Sequence, residues 1–307
     1  MMFDIAAILI NYNSSNFTIS CVESILEKTS NEIKLQLVII DNNSNETDYL
    51  SLSNFIIHLK NENIILHRSP INTGFGGGNI LGVSFARARY YAFINNDSLL
   101  ENDCLSILKK EIELDESIGI CGPLCHNERG DLLPTLDYFA SPMKEFLGRK
   151  LMHKINPIEY PSRTDIITKK QKGQFVAGSF MMMRADDYRK IGGFDPTIFL
   201  YYEETDMCIR LRKINKMAYM ITNAKFIHYH GASTKSSIAI KKEHKISYLY
   251  VIKKHYGYFW YQIVLNKLRI QYFFKSFFKL KYWSLFFLLL IGAPLSKSLK
   301  LKQRTKE

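Results

Sequence analysis

The chain has 307 residues, 47% of them hydrophobic, enough for one large domain with a substantial core, which excludes disorder over most of its length. Its net charge of +12 is unevenly placed, because residues 241–307 hold 15 Lys and Arg against two acids while the first 240 hold 26 basic and 27 acidic side chains. The part able to form a cleft is therefore neutral, which argues against a nucleic-acid enzyme, and no nucleic-acid partner is expected.

In chain order, residues 5–11 (IAAILIN) form a continuous apolar run, and 14–27 follow with helical spacing and Ser14 or Ser15 as N-cap. Residues 37–41 (LVIID) read as a second buried strand, 47–59 as a helix and 64–67 as a third strand. A glycine-rich turn leads into a helix ending near Ala88, and 91–95 (YAFIN) give a fourth strand. Strands that are apolar throughout, with no alternation, are covered by helices on both faces, so the expected fold is α/β with a doubly wound, mostly parallel sheet. Residues 126–170, with prolines at 134, 142, 157 and 161, read as a loop-rich insertion near the acceptor side. Regularity returns with a strand at 174–184, a helix at 185–191 stopped by Gly192 and Gly193, a helix at 203–214 and a strand at 225–230. Domain 1–240 is thus followed by a basic, aromatic segment, 241–307, whose most apolar stretch (282–295) has 14 residues. A bilayer crossing needs about 20, so helices lying in the membrane interface, lysines toward headgroups, fit this segment better. Five scattered cysteines make no disulfide framework, and the N-terminus lacks a basic stretch, apolar run and cleavage site, so a reduced, cytosolic setting is expected.

Four polar clusters fall just after expected strands, at the sheet edge where open α/β folds bind ligands. They are Asn11-Tyr12-Asn13, Asp41-Asn42-Asn43-Ser44, the run 72–79 (NTGFGGGN) and Asn95-Asn96-Asp97-Ser98. Asp41, an acceptor-only carboxylate, suits a pyrimidine N–H or a ribose hydroxyl. Gly74, Gly76 and Gly77, with Asn79, would let backbone N–H groups approach a diphosphate, although the run matches neither a dinucleotide fingerprint nor a P-loop. Asn11, Asn13, Asn43 and Asn96 join this donor set. Asp97 at a strand mouth is a natural ligand for Mg²⁺ or Mn²⁺ on donor phosphates, or alternatively an N-cap for a helix starting near Leu100. Glu203, Glu204 and Asp206 offer a general base at a helix N-terminus, where the helix dipole alone could also explain them. His228 and His230 alternate in a strand, and one of them could complete the metal site with Asp97.

Together these stretches resemble family 2 glycosyltransferases of the GT-A fold, particularly bacterial rhamnosyltransferase-like members that build surface polysaccharides. The likeness is carried by ILINYN (8–13), VIIDNNS (38–44), NTGFGGGNI (72–80), FINNDS (93–98), GSFMMMRADDYRKIGGFD (178–195), FLYYEETDMCIRLRK (199–213) and HYHGAS (228–233). It implies inverting transfer by single displacement with a divalent cation, from a nucleotide-diphosphate sugar (dTDP-rhamnose or a UDP-hexose) to a glycan or lipid-linked acceptor at the cytoplasmic face of the membrane. Asp41 would then hold nucleobase or ribose, and Asp97 would be the metal-binding acid of the family's DxD element, whose first acid is here Asn95. By position Glu204 is the base, with Asp206 the alternative, and His230 matches the family's metal-ligand histidine better than His228. A nucleotidyltransferase would bring a basic glycine-rich loop near the N-terminus, which 11–15 lacks. The remaining alternative is a membrane-tethered, non-catalytic scaffold, against which intact Asp41, Asp97, Glu204 and His230 argue.

Overall fold

The computed structural model describes residues 2–163, 169–229 and 237–305. Its first half alternates β1 (Phe3–Asn11), α1 (Ser15–Lys28), β2 (Leu35–Asp41), α2 (Glu46–Leu59), β3 (Ile64–Arg68), α3 (Gly74–Phe85) and β4 (Ala88–Asn95). Next come β5 (Ser98–Leu100), α4 (Cys104–Leu114), β6 (Ile118–His126), β7 (Leu132–Leu133), β8 (Leu136–Asp137) and α5 (Pro142–Ile155). The order continues through β9 (Lys170–Gly173), β10 (Phe175–Val176), β11 (Phe180–Arg184), α6 (Ala185–Lys190), α7 (Glu203–Arg212) and β12 (Met217–His228). Last are α8 (Ile238–Phe278) and α9 (Trp283–Leu290), then short 3₁₀ turns at Leu295–Lys297 and Leu299–Lys302.

The main sheet runs β3-β2-β1-β4-β11-β6-β12-β5, with β7 and β9 paired at its margin. β1 to β4 are mutually parallel and β12 runs parallel to β6, whereas β11 is antiparallel to both its neighbours. The apolar runs behave as expected for a sheet covered twice. Ile5, Ala7 and Leu9 of β1 face a layer with α1, α2 and α4, while Ala6 and Ile8 face a layer with α6 and α7. Period-two alternation divides one strand between two cores.

Three expectations change. The region 126–170 holds a helix, α5, with Pro142 in its first turn and a break at Gly148 (φ +72°). The strand expected at 174–184 is two strands, β10 and β11, parted by Ala177-Gly178-Ser179. The C-terminal segment starts at Ile238, capped by Ser237, so the helix takes in residues assigned to the preceding domain. α8 breaks at Gly257 (φ +86°), and its two halves and α9 bury Leu249, Val251, Ile252, Leu265, Leu268 and Leu285 in a third core, joined by Ala140 and Ile198. Among the described residues no helix is long and apolar enough to cross a membrane.

Candidate active site

Two cavities lie at the C-terminal edge of β1, β2 and β4. The first, about 420 Å³, is lined by Tyr12, Ser14, Asn42, Asn72, Gly74 and Asn96, and by Leu299 and Gln303 from the far end of the chain. The second, about 380 Å³, is lined by Asp97, Arg163, Gly178, Glu203, Glu204 and His228. Asn95, Phe75 and Leu200 line both, so the two are contiguous at Asn95.

Around the first cavity most of the expected donor residues are engaged with one another. Asn11 is fully buried, its amide donating to Asp41 Oδ1 (2.9 Å) and Asp48 Oδ2 (2.8 Å) while its Oδ1 accepts from Thr18 (2.7 Å). Asp41, also fully buried, accepts from the Ser44 N–H at 3.1 Å, with Arg68 Nε 3.6 Å away. Asp48 accepts from the Ser15 N–H (2.8 Å) and so caps α1 from a different helix. Burial raises the Asp48 pKa, but the hydrogen bonds from Ser15 and Asn11 outweigh it and leave the group below its ordinary value. Asn96 donates to Ser14 and Thr18, and Asn79 to the Phe75 carbonyl. Asn13 and Asn43 take left-handed φ of +53° and +67°, which an asparagine tolerates at a turn.

The glycine run answers first to packing. At Gly74 (φ +76°) a Cβ would sit 2.0 Å from the Phe199 carbonyl oxygen, and that oxygen accepts from the Phe75 N–H at 3.0 Å. A Cβ at Gly76 would touch the Glu203 side chain at 3.4 Å, and one at Gly77 would press on Thr73 at 2.9 Å. The loop before α7 is thus drawn against the start of α3, and the Gly74 N–H is taken by Asn72. Sequence reading passed over Asn42, Asn72 and Tyr12 as individual residues. Asn42 is the hinge of this wall, donating to Asn72 and the Gly74 carbonyl and accepting from Thr73. The tail is a further departure. Glu243 accepts from Ser298 Oγ and the Leu299 N–H, both at 2.7 Å, and the Arg304 carbonyl accepts from Asn43 at 3.2 Å, so residues 298–304 close one side of the first cavity.

In the second cavity Asp97 is 2% exposed, and His228 Nε2 stands 3.0 Å from its Oδ1. The N-cap of α4 is Asp103, accepting from the Ser106 N–H at 3.1 Å, so Asp97 has no capping role there. His228 ends β12 beside β5, and His230 lies outside the described residues. Asp97 offers the carboxylate that suits Mg²⁺ or Mn²⁺, and His228 stands beside it as a second candidate ligand, one that a Mn²⁺ ion accepts more readily than Mg²⁺. Among the described residues no group of three or more His, Cys, Asp and Glu converges, so donor phosphates and water would have to complete the shell.

The three acids of α7 separate. Glu203 is buried, and its pKa is pushed well above the usual range, first by burial and then by the Glu204 charge. Glu204 reaches the cavity with its own pKa raised by burial, moderated by the Gly178 N–H donating to its Oε1 at 3.2 Å. Together they favour one shared proton held on Glu203, leaving Glu204 as the carboxylate. Asp206, the alternative base, points the other way. It is fully buried and paired with Arg210 (2.6 Å), Lys254 (2.6 Å) and His255 (2.7 Å). Burial raises its pKa, but His255, Arg210 and Lys254 bring it down to about 2. Asp206 therefore ties α7 to α8. Tyr201 and Tyr202 hold left-handed φ of +72° each immediately before the two glutamates, a strained turn fixed by Tyr202 packing on His244 and Tyr248.

Known proteins resemble this chain in sequence and in fold. The chain is 25% identical over 190 residues to rhamnosyltransferase WbbL of Escherichia coli (strain K12), covering 59% of this chain and 71% of that protein. It is 26% identical over 149 residues to N-acetylglucosaminyl-diphospho-decaprenol L-rhamnosyltransferase of Mycobacterium tuberculosis (strain CDC 1551 / Oshkosh), covering 45% of this chain and 47%, about half, of that one. Among solved structures, GalNAc-T7 with UDP, GalNAc and Mn²⁺ superposes with a TM-score of 0.60 at 14% identity, over 80% of this chain and 47% of the other. The mannosyltransferase PcManGT from Pyrobaculum calidifontis, in complex with GDP-Man and Mn²⁺, gives 0.56 at 10% identity over 97% and 87%. These two speak for the GT-A fold alone. Residues 6–192 match the pattern of glycosyl transferase family 2, a stretch that includes Asp41, Asp97 and Gly178 and stops short of Glu203. That match takes in more than half of the chain, and this protein belongs to glycosyl transferase family 2, with rhamnosyltransferases among its relatives.

Proposed function

We propose that this protein transfers rhamnose from dTDP-rhamnose, or a hexose from a UDP-sugar, to a lipid-linked glycan with inversion at the anomeric carbon. The observation that carries this reading is one cavity holding Asp97 and Glu204, open to a second cavity of nucleotide size. The donor's nucleoside occupies the cavity of Tyr12, Asn42 and Asn72, which places its diphosphate toward Asn95 and Asp97. Asp97 and a histidine would hold a divalent cation, which when bound would supply neutralisation of the leaving diphosphate. Glu204 accepts the proton of the acceptor hydroxyl as that oxygen bonds to the anomeric carbon and the bond to the diphosphate oxygen breaks. The Gly178 N–H fixes the carboxylate, and Glu203, keeping its own proton, avoids a second buried charge.

The acceptor is read from the two rhamnosyltransferases, one of them named for a diphospho-decaprenol substrate. A membrane partner is supported by the exposed Phe273, Phe274, Phe277 and Phe278 beside Lys275, Lys279 and Lys281, apolar and cationic groups on one exposed stretch that suit the cytoplasmic face of a bilayer. The test is transfer from dTDP-rhamnose and UDP-hexoses to a synthetic lipid-linked sugar, with the product's anomeric configuration read by NMR. The reading predicts a product inverted relative to the donor. A retained configuration, or donor binding without transfer to any lipid-linked sugar, would contradict it.

A further inference from the structure

Beside the catalytic cavity, three cations surround one carboxylate. Asp137 accepts from Arg149 Nε at 2.8 Å and Nη2 at 2.5 Å and from Lys144 Nζ at 3.1 Å, with Arg163 Nε 3.5 Å away. Among the described residues Asp137 is the carboxylate these three share, which leaves a surplus of positive charge. Burial chiefly, with smaller contributions from Arg149 and Arg163, outweighs the pull of Asp137 and brings the Lys144 pKa down to about 8. Structure without a ligand gains little from crowding three cations on one partly buried carboxylate. A bound polyanion would relieve that repulsion.

The position of the cluster narrows the anion. Arg163 lines the catalytic cavity with Glu204 and Asp97. Lys144 stands on α5, and Arg149 follows the break at Gly148 that turns the chain toward Asp137. The same helix presents Met143, Phe146 and Leu147 to a groove of about 790 Å³, whose opposite wall is Tyr256, Trp260 and Ile263 of α8. Cationic cluster and apolar groove thus adjoin on α5, and one member of the cluster, Arg163, also lines the catalytic cavity. An amphiphile with a doubly charged head, an apolar chain and a sugar on its head matches that order of surfaces.

We infer that the Lys144–Arg149–Arg163 cluster seats the diphosphate of a prenyl-diphosphate-linked acceptor, with the first isoprene units in the groove between α5 and α8. The sugar on the diphosphate then extends past Arg163 toward Glu204. This rests on reading the catalytic cavity as a transfer centre and adds the recognition of the acceptor's lipid end.

The probe is farnesyl diphosphate, titrated by calorimetry into the full chain in chelator, so that no metal draws it to Asp97. Farnesol, inorganic pyrophosphate and dTDP are parallel ligands. Farnesyl diphosphate is expected to bind more tightly than either farnesol or pyrophosphate, with affinity falling about tenfold in Arg149→Gln and again in Arg163→Gln. Both arginines are partly exposed, and melting curves of the variants would check that they fold. Asp97→Ala is expected to bind the probe as wild type does. Loss in Asp97→Ala with retention in the arginine variants would place the diphosphate in the donor cavity and overturn the inference. Equal affinity for farnesol and farnesyl diphosphate, with the arginine variants losing phosphatidylglycerol vesicles instead, would make the cluster a headgroup contact and also overturn it. Metal-dependent binding of dTDP in a protein that ignores farnesyl diphosphate would refute this inference and leave the transferase reading standing.

Discussion

The two halves of the site spend their polar residues differently. On the donor side, around β1, β2 and β4, the conspicuous Asn and Asp side chains are bonded to each other: Asn11 to Asp41 and Asp48, Asn96 to Ser14 and Thr18. On the acceptor side, around α7 and the 126–200 region, charged groups stand in or beside the cavities with pKa values moved by burial and by one another. Around β1, β2 and β4 the polar network fixes loop shape, and the charge proposed to react stands on α7.

The sharpest test of that division is Glu204→Gln, expected to lower transfer by about 100- to 10,000-fold while nucleotide affinity and melting temperature stay near wild type; steady-state kinetics with calorimetry reads both. Asp206→Asn, two residues on, should do the reverse. It breaks a buried network with Arg210, Lys254 and His255, and chemical denaturation should show a loss of about 3–5 kcal/mol. Gly178→Ala would put a Cβ 2.3 Å from Glu204 Oε1, and a displaced base should cut kcat by about 100-fold with KM for the donor unchanged. On the donor side, Asn11→Ala should destabilise by about 1–3 kcal/mol by leaving buried partners unsatisfied. A large kcat effect without that loss would blur the comparison.

The smallest effect concerns pH. As the proposed base Glu204 acts in its ionised form, and its raised pKa then predicts an acid limb of kcat above the ordinary Glu range, with activity falling as pH drops through that value. Glu203 behaves differently. The folded state holds its proton more tightly than the unfolded chain does, so stability declines as pH rises between the ordinary and the raised value. Glu203→Gln should flatten that decline in melting curves recorded across pH.

The first half of the fold was legible because β1, β2 and β4 are apolar on both faces and a polar turn marks each strand's end. α5 was not, because the prolines around it read as loop, although Pro142 sits in the first turn, where a helix accepts it. The single strand expected at 174–184 contained the break that brings Gly178 to Glu204, a long-range contact with no local signal. The separation of Glu204 from Asp206 could have been read beforehand, since residues two apart on a helix face different ways. The glycine run could not, because its closest contact, Phe199, lies 125 positions from Gly74. Nor does any pattern in residues 298–304 announce that they close the donor cavity.

The central claim is a nucleotide-diphosphate site that runs into Asp97. It is tested most directly by thermal shift with dTDP, UDP and their sugars, with Mn²⁺ and with chelator, on wild type and Asp97→Ala. A metal-dependent shift with one nucleotide class, lost in Asp97→Ala, is the predicted result. No shift with any nucleotide, or the same shift in both proteins, would contradict it.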